Sequence, residues 1–205
     1  MILRADRIAA LLDRTDADPL VITPKPDLHA LRQSGAASVD LRLGTWFASL
    51  KQASNPYLRI DQKDLGAKIT KTHFVPFGDE FILHPMTFVL AVTLEWIRLP
   101  SNLAAYVVGK SSWGRCGLII ATATGVHPGF FGCLTLELSN VGEIPIAVKP
   151  GYPIGQLFFH TVEHSTDPEA TPVLSRSTFG GSRRPLFKTI KLDPFAERLA
   201  KADKT

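Results

Sequence analysis

Cysteine is almost missing from this chain: Cys116 and Cys133 are the only two in 205 residues. One pair cannot build the bridged framework of a small secreted domain, and the spacing lacks the clustered pattern of a zinc site. Both therefore read as reduced thiols at strand positions. Long apolar runs are missing as well. No uninterrupted stretch reaches membrane-spanning length, and the opening Met1-Ile-Leu-Arg-Ala-Asp-Arg7 carries charge without an apolar leader core. These absences predict a cytoplasmic protein with no membrane partner. Zinc-finger spacing and aromatic-interleaved basic strands are also lacking, which argues against nucleic acid as a partner.

What is present is ordinary globular composition, 45% hydrophobic and 20% charged, in a length that fills one core. The expectation is a single domain over 1–205. The formal net charge of +4 is unevenly placed. Residues 176–205 carry eight basic side chains (Arg176, Arg183, Arg184, Lys188, Lys191, Arg198, Lys201, Lys204) against Asp193, Glu197 and Asp203, a surplus of five. Residues 165–205 thus form a basic, partly flexible tail, suited either to a small phosphorylated ligand or simply to solubility.

Periodicity divides the rest into short elements. Ile8, Leu11 and Leu12 fall at helical spacing within 4–14, and Thr15-Asp-Ala-Asp-Pro19 ends that helix. Ala37-Ser-Val-Asp-Leu-Arg-Leu-Gly44 alternates with period two and stops at glycine, the pattern of a strand. Further strands are predicted near 56–60, 80–84, 87–93, 105–109, 117–122, 133–139, 144–148 and 154–160, with turns at Pro76-Phe-Gly78, Val141-Gly142 and Pro150-Gly151. So many short strands predict a mostly β chain, a sandwich or barrel. A short helix near the C-terminus is predicted from Asp193-Pro194.

Two neighbouring stretches carry the chemistry. Gly109-Lys-Ser-Ser-Trp-Gly-Arg-Cys-Gly117 offers backbone N–H groups and hydroxyls in a tight turn, which suits phosphate oxygens, although serines in a turn need not bind anything. In Gly125-Val-His-Pro-Gly-Phe-Phe-Gly-Cys-Leu-Thr-Leu-Glu-Leu-Ser-Asn140, Leu134, Leu136 and Leu138 share one strand face and Cys133, Thr135, Glu137 and Ser139 the other. Taken alone, a glutamate on a polar strand face reads as solvated surface as readily as a catalytic group. Together the stretches hold a phosphate-binding turn, an arginine and a carboxylate within about thirty residues.

The chain resembles the dCTP deaminase family over most of residues 1–160. The resemblance rests on Ala37–Gly44, Phe81-Ile-Leu-His-Pro-Met-Thr-Phe-Val-Leu-Ala-Val-Thr-Leu-Glu95, Gly109–Leu118, Pro128–Asn140 and Lys149-Pro-Gly-Tyr-Pro-Ile-Gly-Gln-Leu157, in that order. It implies a distorted, mostly antiparallel β-barrel of the dUTPase-like (β-clip) type with short N- and C-terminal helices, assembled as a homotrimer with active sites between subunits. It also implies hydrolytic deamination of dCTP to dUTP and ammonia, without protein-bound zinc and with Mg2+ accompanying the triphosphate. The zinc deaminases' H-x-E and C-x-x-C signatures do not occur in the sequence.

Carried over residue by residue, the resemblance makes Glu137 the general base and acid and puts Ser111 and Arg115 beside the reacting end of cytosine. Lys110 and Ser112, with Trp113 and Gly114 of the same turn, hold the nucleotide. Thr135 and Leu136 line the base pocket, and Gln156 contacts nucleotide. His127 stands where the family usually has an aspartate on the deoxyribose. Phe179 takes the place of a tail tyrosine, and Arg183 supplies tail charge toward phosphate. Two alternatives accompany this reading. One is dUTP diphosphatase activity, alone or combined with deamination, whose expected aspartate falls at His127. The other is a diverged nucleotide-binding or sensing trimer without efficient turnover.

Overall fold

Alternating apolar and polar residues make strand the dominant secondary structure in a computed structural model, which describes residues 1–51, 57–58, 65–121, 125–163 and 181–187. The elements are α1 (Ala5–Leu12), β1 (Val21–Thr23), α2 (Leu28–Gln33), β2 (Val39–Leu50), α3 (Leu65–Ile69), β3 (Thr70–Phe74), β4 (Phe81–Leu83) and β5 (Phe88–Arg98). They continue with β6 (Leu103–Gly109), α4 (Ser111–Gly114), β7 (Leu118–Ile120), β8 (Gly125–Val126), β9 (Phe131–Asn140), β10 (Ile146–Val148) and β11 (Pro153–Thr161).

Nine of these strands join one sheet in the order β7-β9-β5-β2-β11-β6-β8, with β1 paired to β5 and β3 to β2. All of its pairs are antiparallel, as is the separate β4–β10 pair. This order curls back on itself, bringing β7 at one end against β6, next to the other end. Ile120 of β7 packs 3.4 Å from the point above Gly109, at the end of β6, where a Cβ would stand. The sheet has therefore curled into the distorted barrel expected from the sequence. Its interior holds Leu41, Leu43 and Phe47 of β2, Ile97 of β5, Leu136 and Leu138 of β9 and Leu157 and Phe159 of β11, all fully buried. The helix α1 adds Ile8 and Leu12 to the same core, one turn apart on one face.

Several expectations need correction. The strand β2 does not stop at Gly44 but runs through it to Leu50, and its pairing with β5 shifts register between Leu43 and Phe47. A Cβ at Gly44 would lie 3.0 Å from the carbonyl oxygens of Val92 and Thr93, so this glycine marks a close backbone approach inside the strand. Cys116 is not a strand residue: it is exposed in the link from α4 to β7, whereas Cys133 does lie on β9. Tyr57 and Leu58 form no strand, and the remainder of 56–60 lies outside the described residues. The C-terminal helix, Phe179, and most of the 165–205 tail also lie outside them. The strand β1 and helix α2, which the alternation did not signal, build the wall of the groove described next. Asp27 caps α2 by accepting from the backbone N–H of His29 (2.9 Å) and Ala30 (3.1 Å).

Candidate active site

Two strands and one short helical turn carry the residues singled out from the sequence. The alternation of β9 is realised: Leu134, Leu136 and Leu138 enter the core, while Cys133, Thr135, Glu137 and Ser139 are half-buried on the other face. Glu137 pairs in register with Leu90 of β5, and its carbonyl accepts from the N–H of Ala121 at 2.8 Å, so its backbone is held from both sides. Burial raises the Glu137 carboxyl above its ordinary value of 4.5. That is the direction required of a carboxylate which must both take and return a proton near neutrality.

The Gly-Lys-Ser-Ser segment folds as α4, one turn fastened to the start of β11. The Lys110 N–H donates to the Ile154 carbonyl (3.2 Å), and the Trp113 indole N–H donates to the Pro153 carbonyl (2.9 Å). Trp113 is half-buried against the core, which leaves Ser111, Ser112, Gly114 and Arg115 exposed around it. The Lys110 ammonium reaches both carboxylate oxygens of Asp40 (2.8 and 2.7 Å), and the Gln156 amide donates to the same carboxylate at 3.3 Å. Lys110 and Gln156, 46 residues apart in sequence, are thus brought to one acidic anchor on β2.

This cluster lines a groove of about 650 Å³ between β2, β11 and the wall formed by β1 and α2. Further into it, Arg42 donates through Nε (2.7 Å) and through its backbone N–H (2.8 Å) to the two oxygens of Glu95, which is 2% exposed. Asp40, Arg42 and Glu95 were not picked out from the sequence as site residues. The signal was available for two of them: in Ser38-Val-Asp-Leu-Arg-Leu43 the alternation puts Asp40 and Arg42 on the face opposite Leu41 and Leu43.

The remaining predicted residues sit elsewhere. His127 is exposed just after β8 and opens the Pro128-Gly129 turn, closed by the Phe130 N–H on the His127 carbonyl at 3.2 Å. Arg183 is exposed in a segment that docks on β9, where the Gly181 N–H donates to Phe131 (2.8 Å) and the Cys133 N–H to Ser182 (3.0 Å). Its charge favours the Cys133 thiolate, but burial outweighs it and holds that thiol above its usual value. Arg183 therefore lies near the strand that carries Thr135 and Glu137. Among the described residues no group of three or more His, Cys, Asp or Glu side chains is placed to hold a metal, and no helix is long and apolar enough to cross a membrane.

Comparison with known proteins adds the lineage. Residues 2–162 match the family described as dCTP deaminase-like. The dCTP deaminase of Halorubrum lacusprofundi is 44% identical over 153 residues, 74% of this chain and 74% of that one. A Methanobrevibacter smithii protein named dCTP deaminase, dUMP-forming, is 36% identical over 195 residues, 91% of this chain and 97% of that one. The crystal structure of 2'-deoxycytidine 5'-triphosphate deaminase from Agrobacterium tumefaciens superposes with a TM-score of 0.57 at 24% identity, over 80% of this chain. The match spans about half of that longer chain, 48%, and it shows a shared fold.

Proposed function

Because the chain belongs to the dCTP deaminase-like family, we propose that it hydrolyses the exocyclic amine of dCTP, releasing ammonia and leaving a deoxyuridine nucleotide. The observation that carries this reading is the half-buried Glu137, its proton affinity raised by burial, on the polar face of β9. In the reaction Glu137 takes a proton from water as the oxygen adds to C4 of cytosine and delivers it to N3, then takes the proton of the new C4 hydroxyl and delivers it to the departing amine as the C4–N bond breaks and the carbonyl forms. The sum is dCTP plus water giving dUTP plus ammonia. Arg115 and Ser111 stabilise the charge that develops at the base, since a guanidinium stays protonated and offers several donors. Thr135 and Leu136 present backbone groups to the base, and His127 can donate to the sugar hydroxyl.

The groove holds the phosphate end. Lys110 and Gln156 already converge there on Asp40, and Ser112, Trp113 and Gly114 continue the same turn. Arg183 supplies further charge from the tail, with Phe179 beside it in sequence. Magnesium arrives with the triphosphate as part of the substrate, where it offsets phosphate charge. Asp40 and Asp27 are carboxylates on that wall of the groove. The enzyme works as a homotrimer in the cytoplasm, with the exposed Ser111 and Arg115 at subunit boundaries.

A second reading concerns the product. The Methanobrevibacter smithii relative, which matches over 91% of this chain, is named as dUMP-forming, so dUTP could be cleaved further to dUMP and pyrophosphate in the same site. One experiment separates the outcomes: chromatography after incubation with dCTP and magnesium, beside a dUTP reaction and a Glu137→Gln control. Appearance of dUTP, reduced at least ~100-fold in the control, is the expected result. Appearance of dUMP and pyrophosphate establishes the second reading, and no product from either nucleotide in folded protein overturns both in favour of a binding module.

A further inference from the structure

We propose that Asn140 is a positioning residue that sets the Ser111–Arg115 turn against the strand carrying Glu137. The inference rests on the deaminase reading for its catalytic consequence, but its geometry stands independently. Asn140 ends β9 three residues after Glu137 and is fully buried. Its amide nitrogen donates to the carbonyls of Leu83 (2.9 Å) and Ile144 (2.8 Å), and its amide oxygen accepts the N–H of Gly142 (2.9 Å). Its backbone carbonyl accepts from Met86 at 2.8 Å. An apolar side chain here would remove all three side-chain hydrogen bonds, so the residue does more than fill space.

What Asn140 holds in place is the loop that begins at Val141, and this loop is the seat of Gly117. The Val141 N–H donates to the Gly117 carbonyl at 2.9 Å, and Leu118 pairs in register with Asn140. Gly117 has φ +89, and a Cβ there would stand 2.9 Å from the Gly142 nitrogen, so backbone lies directly on backbone. Gly117 is in turn tied to the catalytic turn, its N–H donating to Gly114 and that of Cys116 to Trp113, both at 3.0 Å. An unbroken series of short contacts therefore runs from β9 through Asn140, Gly142 and Gly117 to Arg115. A small displacement in it moves Arg115 relative to the body of its own subunit, and so relative to any substrate at the site that Arg115 serves, and misplacement by about 1 Å can cost roughly 100-fold in rate.

The test compares wild type, Asn140→Ala and Gly117→Ala. The last keeps the asparagine and presses on the same contact from the Gly117 side, against the Gly142 nitrogen that donates to Asn140, and it serves if the first does not fold. Backbone hydrogen exchange and steady-state kinetics with magnesium dCTP are measured well below each protein's melting temperature. Both variants are expected to exchange faster over Arg115–Leu118 and to lose about 10- to 100-fold in kcat per folded enzyme, with KM within about twofold. A purely structural asparagine would lower the melting temperature and leave kcat of the folded enzyme unchanged, which overturns the proposal. Unchanged exchange over Arg115–Leu118 overturns it as well. If wild type gives no product from dCTP, the deaminase reading fails by itself, and the exchange result alone decides whether Asn140 anchors the turn.

Discussion

Glu137 illustrates what a single residue discloses in sequence and what it does not. Alternation placed it opposite three core leucines, and the structure agrees, but periodicity cannot tell a half-buried carboxylate from a solvated one. The difference lies in the cover that surrounding groups give the side chain on that face. That cover raises the Glu137 carboxyl above 4.5, and the sign of the consequence follows by linkage. Below 4.5 the group is protonated whether the chain is folded or not, so burial costs nothing. As pH rises through the folded value, ionisation becomes harder in the folded state, and the cost is complete above it. Glu137→Gln should therefore unfold at higher denaturant than wild type at about pH 8, with the two converging at about pH 4, as urea titrations at both pH values would reveal. A wild-type advantage at the higher pH would mean that contacts to the ionised carboxylate outweigh its desolvation. By contrast, Asp40 and Arg42 were legible as polar-face residues but not as site residues. Their partners Lys110 and Glu95 are distant in sequence, and only the pairing of β2 with β5 and β11 brings them near.

Among the elements, β2 was read to within two residues at its start, Val39 in place of Ala37, and wrongly at its end, which Gly44 explains. Glycine after an alternating run usually signals a turn. Here it lets two backbones come together where the β2–β5 register shifts, and the strand continues to Leu50. Nothing local distinguishes these uses, because the contact partners are the carbonyls of Val92 and Thr93 on another strand. Alanine at 44 places its Cβ 3.0 Å from both oxygens, and backbone cannot withdraw as a flexible side chain could. Gly44→Ala should lower unfolding free energy by roughly 1–3 kcal/mol, measured by urea denaturation with unchanged slope. An unaffected midpoint would mean that the bulge absorbs a methyl group. The same logic explains why α4 was read as a turn: one turn of helix contains too few residues for periodicity to register, and it is the hydrogen bonds of Lys110 and Trp113 to β11 that fix it.

For the molecule as a whole, many short alternating strands made a sandwich or barrel legible, the family resemblance selected the barrel, and the order of the strands was not legible. Assembly is the property that a single chain leaves open. On the proposed reading Glu137 serves a site completed by Ser111 and Arg115 of a neighbouring copy, and both of these residues are exposed on α4 and its end. Tyr106, Val108 and Ile119, 46, 48 and 45% exposed on β6 and β7, add apolar surface to this side of the barrel. Shared sites in a cyclic assembly make a sharp demand. If each site takes the base from one subunit and the arginine from the next, two different inactive variants can rebuild an intact site when mixed. Glu137→Gln and Arg115→Ala, each inactive alone, should regain activity after being denatured and refolded together. Random mixing leaves about one site in four with both wild-type groups, which sets the ceiling at about a quarter of wild-type turnover. The refolded mixture should also elute as a trimer in sizing chromatography. A trimer with no recovered turnover would place Glu137 and Arg115 of one site within the same subunit, and a monomer would remove the shared site altogether.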